Sequence, residues 1–181
     1  MSMDAVKTES TLQSFNKYVI QQARTNLTKG RHNVDKKLYN SLKGFISVAP
    51  RSFSLAFEME DYGKFQDLGV KGKFSSTKAP NSPFKFGSGT GQKGGLTNGI
   101  VNWVTKKRFQ FKDRQTGKFL SYKETANLIS RSIYRTGIKP TEFFSKPFNN
   151  AFKKLPDDLI EAYGLDVETF LQYTINNGKK S

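Results

Sequence analysis

The period at which apolar residues recur changes within the first third of the chain. Leu12, Phe15, Val19, Ala23 and Leu27 stand three and four residues apart, the spacing that lines one face of an α-helix. Phe53, Leu55, Phe57 and Met59 stand two apart, with Ser54, Ala56, Glu58 and Glu60 between them, the alternation of a strand buried on one face. A chain carrying both patterns buries a helix stripe against a sheet face. The reading is therefore α+β: a small antiparallel sheet packed against a long N-terminal helix and a C-terminal helical part, with a long Gly/Pro-rich arm.

The local signals agree with that architecture. Gly30 suits the left-handed stop of the first helix. In "NVDKKLYNSL" Asp35 caps a short helix that turns Leu38 and Leu42 to one side. "FISVA" and "SFSLAFEME" form a hairpin, and Pro50, which has no amide proton, belongs at its turn or on an edge. In "LTNGIVNWVTKKRF" a short helix capped by Thr97 or Asn98 points Ile100, Trp103 and Val104 inward. "KKRFQFKDRQTGKF" reads as an exposed hairpin with a Gly turn. Ser121 and Glu124 make a capping box for a second long helix, with Tyr122, Ala126, Ile129 and Ile133 at helical spacing and Gly137 at its end. Thr141 or Ser145 starts a further helix with Pro147 in its first turn. Two terminal helices follow, with Asp157, Asp158 and Asp166 at their N-termini.

At 181 residues the chain fits a single domain over 1–181. Residues 1–9 are expected to be a flexible N-terminus, 70–96 an extended loop or arm, and 156–181 a helical extension. Hydrophobic residues reach only 35%, so the core must lean on large rings drawn from 16 Phe, 7 Tyr and 1 Trp. With no Cys, thiol chemistry, disulfides and cysteine-ligated zinc are excluded, and folding in a reducing cytosol is expected. No segment approaches the roughly 20 apolar residues that span a bilayer, and no signal-peptide core opens the chain, so no membrane partner is expected.

The net charge of +15 attracts polyanions. It is concentrated: no acidic residue occurs between Leu68 and Lys112, where Lys71, Lys73, Lys78, Lys85, Lys93, Lys106, Lys107 and Arg108 all fall. These are the candidate phosphate contacts. Phe84, Phe86, Trp103, Phe109 and Phe111 are interleaved with them, which invites a reading of lysines on phosphates and rings on bases. Against base recognition stands the helical spacing of Trp103, which assigns it to a core; non-specific contact is the stronger form of the reading.

Enzymatic readings fare worse. Gly89, Gly91 and Gly94 have G-x-G-x-x-G spacing, but "APNSPFKF" ahead of them is no buried strand, so a dinucleotide loop lacks its context. A Walker loop fails because Gln92 precedes Lys93. His32 is the only imidazole, and no nucleophile elbow accompanies it. Glu58, Glu60, Asp61 and Asp67 offer a carboxylate pair for a metal or for hydrolysis, yet Glu58 and Glu60 are also what the wet face of a strand requires. The expectation is a protein without catalytic residues, cofactor or metal.

In order, the first helix, "VDKKLYNSL", the hairpin and "DYGKFQDLG" resemble the tail-completion (minor tail protein Z-like) family of the neck of tailed bacteriophages. Members carry Val-Asp-Thr-Gly-x-Leu-x-x-Ser after a leading helix and Tyr-Ala-x-Phe/Tyr-Val-Glu-x-Gly after a strand pair. Val34, Asp35, Leu38 and Ser41 match the first motif, and Tyr62, Phe65, Asp67 and Gly69 the second. "GIKPTEFFSKPFNNAF" resembles the closing segment. The Thr-Gly is absent here and the first motif is one residue shorter, Gly63 stands in place of Ala, and Val70 to Leu120 is a long insertion.

The resemblance implies a virion protein of the neck or tail, made in the host cytoplasm. It implies a homo-oligomeric ring beside other neck, portal or tail proteins, with genomic DNA passing close enough for non-specific contact. In that setting Tyr62, Phe65 and Gly69 form a structural corner, the two rings under the sheet and Gly69 releasing the chain into the arm. Phe74, Phe84 and Phe86 on the arm are then candidates for burial against a neighbouring subunit. The alternative reading is a free, non-specific nucleic-acid-binding protein.

Overall fold

The computed structural model of the chain describes residues 6–30, 35–49, 52–88 and 95–159. Expectations resting on His32, Val34, Pro50, Gly89, Gly91, Lys93, Gly94 and the helix beginning at Asp166 lie outside the described residues. In chain order the elements are α1 (Val6–Lys29), α2 (Lys37–Ser41), β1 (Lys43–Ala49), β2 (Ser52–Glu58), α3 (Gly63–Leu68), β3 (Val70–Lys71), α4 (Gly95–Lys107), α5 (Tyr122–Thr136), β4 (Gly137–Ile138) and α6 (Ser145–Phe152). The fold is α+β, with a long leading helix and a small antiparallel sheet. The chain gathers into two compact units, the first drawn from Met1–Lys29, Lys37–Glu60 and Phe143–Ser181, the second from Gly30–Lys36 and Asp61–Glu142.

In the first unit α1 buries Leu12, Phe15, Val19, Ala23 and Leu27, the stripe that its spacing predicts, and adds Thr8. The helix begins at Val6, inside the segment expected to be flexible. Its stripe serves two clusters. Ala23 and Leu27 meet Leu38, Leu42 and Phe143, while Leu12, Phe15 and Val19 meet Leu155. Leu12, Leu27, Leu38 and Leu42 are each no more than 2% exposed, so each contributes about 1.5–3 kcal/mol of burial.

β1 and β2 pair antiparallel, Ile46 opposite Leu55 and Gly44 opposite Phe57. Ile46, Leu55 and Phe57 pack on the second cluster, and Phe45 faces the other way, half exposed, so the alternation in sequence is the alternation in space. Phe57 anchors the ring cluster anticipated from composition: Phe144 lies 5.2 Å away edge-on, Phe148 5.8 Å and Phe15 6.4 Å. A Cβ on Gly44 would collide with the Asn16 carboxamide, which shows how closely α1 lies on the strand.

α2 is fixed by polar contacts as well as by its two leucines. The Arg24 guanidinium donates to the carbonyls of Tyr39 at 3.2 Å and Leu42 at 3.1 Å. Ser41 Oγ accepts the Glu60 amide at 3.0 Å, and Lys37 meets the Glu60 carboxylate at 3.3 Å. α6 carries Pro147 in its first turn, where a missing amide proton is harmless. It stacks Phe144, Phe148 and Phe152 at successive turns, 5.9 and 5.6 Å apart.

The second unit is held by α4 and α5 and by a short ladder of β3 with β4, Val70 opposite Ile138. α5 opens with the expected capping box. Ser121 Oγ accepts the Glu124 amide at 3.2 Å, and the Glu124 carboxylate accepts the Ser121 hydroxyl at 2.7 Å and amide at 2.9 Å. The loop from Lys112 to Phe119 is a hairpin-like turn, with Gly117 at φ +68° and Asp113 accepting from Gln115 and Thr116.

Two helix expectations change. α4 already begins at Gly95, so Thr97 and Asn98 are inside its first turns and do not cap it. Trp103 is 39% exposed and leans on Phe109, while Val104 is fully buried; the stripe is narrower than three residues. On α5 the fully buried positions are Thr125, Ala126 and Ser130, with Ile129 and Ile133 only half-buried.

Candidate functional site

Gly69 opens the basic region. It adopts φ +72°, and a Cβ there would stand 2.6 Å from the Ile138 carbonyl oxygen and 2.7 Å from Pro140 N, so only glycine passes this corner without strain. Around it the corner is helical: α3 follows directly from Tyr62, whose carbonyl accepts the Phe65 and Gln66 amides. The resemblance places the rings of Tyr62 and Phe65 under the sheet. They are instead 41% and 37% exposed, and Phe65 meets Phe84 edge-on at 4.6 Å.

That contact belongs to a larger correction. Val70 to Phe86 is irregular but it is not extended: the Lys71 amide donates to the Phe84 carbonyl at 2.8 Å and the Phe86 amide to the Lys71 carbonyl at 2.9 Å. Ser82 Oγ donates to the Gly69 carbonyl at 2.8 Å, and the Lys73 amide to the Tyr134 carbonyl at 2.8 Å. Phe86 packs on Tyr134 at 5.7 Å. Phe84 and Phe86 are therefore occupied within their own unit, because main-chain bonds on both sides of Lys85 hold their rings over α3 and α5. Of the three rings proposed for a neighbouring subunit only Phe74 stands out, 72% exposed.

The same fold-back gathers basic residues. Lys71 and Lys85 are paired across a parallel bridge, which sets their side chains on one side. Lys73 Nζ lies 5.5 Å from the centre of the Phe74 ring and 5.8 Å from that of Tyr134, within cation–π range. Gly87, at φ +79°, leaves room for the Tyr134 hydroxyl and the Lys73 stem. Lys78 Nζ donates to Thr136 Oγ1 at 2.9 Å. Lys73, Lys78 and Lys85 are exposed, and Lys71 is half-buried.

The remaining candidates fall elsewhere in the unit. Lys106 is paired with Asp35 at 3.2 Å. Lys107 and Arg108 are exposed at the C-terminal end of α4, where cations complement the helix dipole, beside the rings of Trp103, Phe109 and Phe111. Sequence reasoning overlooked Tyr134 and Thr136. Their signal was available: residues 125–141 also contain no Asp or Glu. Altogether the second unit carries 18 Lys and Arg against 6 Asp and Glu, +12 of the chain's +15.

The carboxylates show no such convergence. Glu60 is engaged by Lys37, Glu58 and Asp61 are exposed, and Asp67 is 5% exposed. Among the described residues no group of three or more His, Cys, Asp or Glu stands together as a metal site. Asp113 and Glu124 serve local turns: the Thr116 amide and hydroxyl and the Gln115 amide hold Asp113 below the usual carboxylate range, and the Ser121 hydroxyl and amide do the same for Glu124. No described helix is long and apolar enough to cross a membrane. Comparison with known protein families, curated proteins and solved structures returns no match for this chain.

Proposed function

We propose that this chain is a structural virion protein of a tailed bacteriophage, one subunit of a homo-oligomeric ring at the portal-to-tail junction. The resemblance in "VDKKLYNSL" and "DYGKFQDLG" supports this reading, and one structural observation carries it. Among the described residues β1 and β2, seven residues each, make a sheet of two strands, so each has an edge that no other described strand covers. Such edges accept strands or loops from neighbouring copies, and a repeated head-to-tail contact closes a ring. The contact differs from the one first expected, since the Phe84 and Phe86 rings are engaged at home. Sedimentation velocity with negative-stain microscopy of the full chain tests it: closed rings of uniform mass are expected, alone or with the portal. A strictly monomeric species under both conditions overturns it.

A second reading, non-specific nucleic-acid binding, is favoured by the +12 of the second unit. In the ring it corresponds to contact with passing DNA. Phosphate neutralisation releases counterions, so affinity for duplex must fall steeply between low and moderate salt. A flat salt response would remove this reading.

A further inference from the structure

We infer that the face built from Lys73, Phe74, Lys78, Phe86 and Tyr134 is a binding site for single-stranded nucleic acid, in which an unstacked base lies on Phe74 and the lysines hold the flanking phosphates. The inference rests on the polyanion-binding reading above and makes it specific.

Charge complementarity comes first. The two stretches that build the face, residues 68–112 and 125–141, contain no Asp or Glu. Lys73 and Lys78 are exposed; Lys73 Nζ lies over two rings and Lys78 Nζ meets a hydroxyl, and neither is paired with a carboxylate among the described residues. Their charge is thus available to an outside anion. The ring geometry then selects the kind of polyanion. A duplex offers phosphates but keeps its bases stacked, so an aromatic ring 72% exposed gains little from it. A single strand offers both, and sequence-tolerant stacking of bases on aromatic side chains beside a basic groove is how such strands are held.

The main chain under the platform is hydrogen-bonded to α5. Phe74 is tied through its own amide to the Arg135 carbonyl at 3.3 Å and Lys73 through its amide to Tyr134 at 2.8 Å. Phe86 and Tyr134 pack 5.7 Å apart, and Lys73 lies over both Phe74 and Tyr134. A base that lands on Phe74 therefore meets a ring already placed next to a cation.

Fluorescence anisotropy of the full chain with labelled oligo(dT) and with a duplex of equal length, at low and moderate salt, tests this. The wild type should bind the single strand more tightly than the duplex. Phe74→Ala, which removes an exposed ring, should weaken oligo(dT) binding roughly 5- to 150-fold and leave both duplex affinity and the salt slope unchanged. Lys73→Gln should weaken both ligands and lower the slope by about 1. Equal oligo(dT) affinity for Phe74→Ala and wild type, or equal affinity of the wild type for strand and duplex, overturns the single-strand site while leaving salt-sensitive polyanion binding in place. Absence of salt-sensitive binding to either ligand overturns both. Circular dichroism of each variant distinguishes lost contacts from lost fold, and Phe74→Tyr, which keeps the ring, should bind like the wild type.

Discussion

Gly69 and Gly99 are the same residue under opposite constraints. At Gly69 the backbone is left-handed and a side chain would press on the Ile138 carbonyl and Pro140. Gly69→Ala should therefore cost about 1–3 kcal/mol, visible as a lower denaturation midpoint. Gly99 lies inside α4 with nothing within 4 Å of its missing Cβ, so Gly99→Ala should stabilise the chain by about 0.5–1 kcal/mol. Equal effects of the two substitutions would contradict the assigned backbone. A glycine after Leu68 announces a corner in sequence, but its obstacle, the turn after β4, is remote in the chain and cannot be read from neighbouring residues. Phe84 and Phe86 were misread for the same reason. Their isolation among Gly, Ser and Pro suggested a free arm, whereas their partners, Phe65 and Tyr134, come from distant segments.

Elements governed by local rules were legible: α1 from its stripe, the hairpin from its alternation, α5 from its capping box. Each depends on contacts within a few residues or on one continuous face. The box adds a pH dependence. The folded pKa of Glu124 lies below its ordinary value because the Ser121 hydroxyl and amide bind the carboxylate. A depressed folded pKa stabilises the folded state above the unfolded pKa, and that contribution disappears as pH falls through the folded value. The protection of the first-turn amides of α5, taken relative to their intrinsic exchange rate at each pH, should accordingly fall on acidification below the usual carboxylate range, and Glu124→Gln should remove most of that change. α1 offers a larger effect. Leu12 is fully buried where α1 meets Leu155, so Leu12→Ala should cost about 2–5 kcal/mol in urea unfolding. What local rules missed was α3, a single turn and a half stabilised by non-local contacts, including the Thr141 amide on the Gln66 carbonyl at 3.1 Å.

Across the whole molecule, charge and apolar packing are divided between the two units. The first holds the two hydrophobic clusters and the open-edged hairpin; the second holds +12 of the net charge and the basic, ring-bearing face. The acid-free run from Leu68 to Lys112 was plain in sequence, but which lysines meet was not, since the fold-back of Val70 to Phe86 and the end of α5 jointly decide it. On the function proposed above, the first unit assembles the ring in the neck of a tailed phage and the second touches nucleic acid. Quantitative mass spectrometry of tailed-phage particles purified from cells that carry this chain's gene tests that directly. The proposal predicts a fixed number of copies per particle, constant between preparations and retained through high-salt washing. Mature, infectious particles that lack the chain would contradict it.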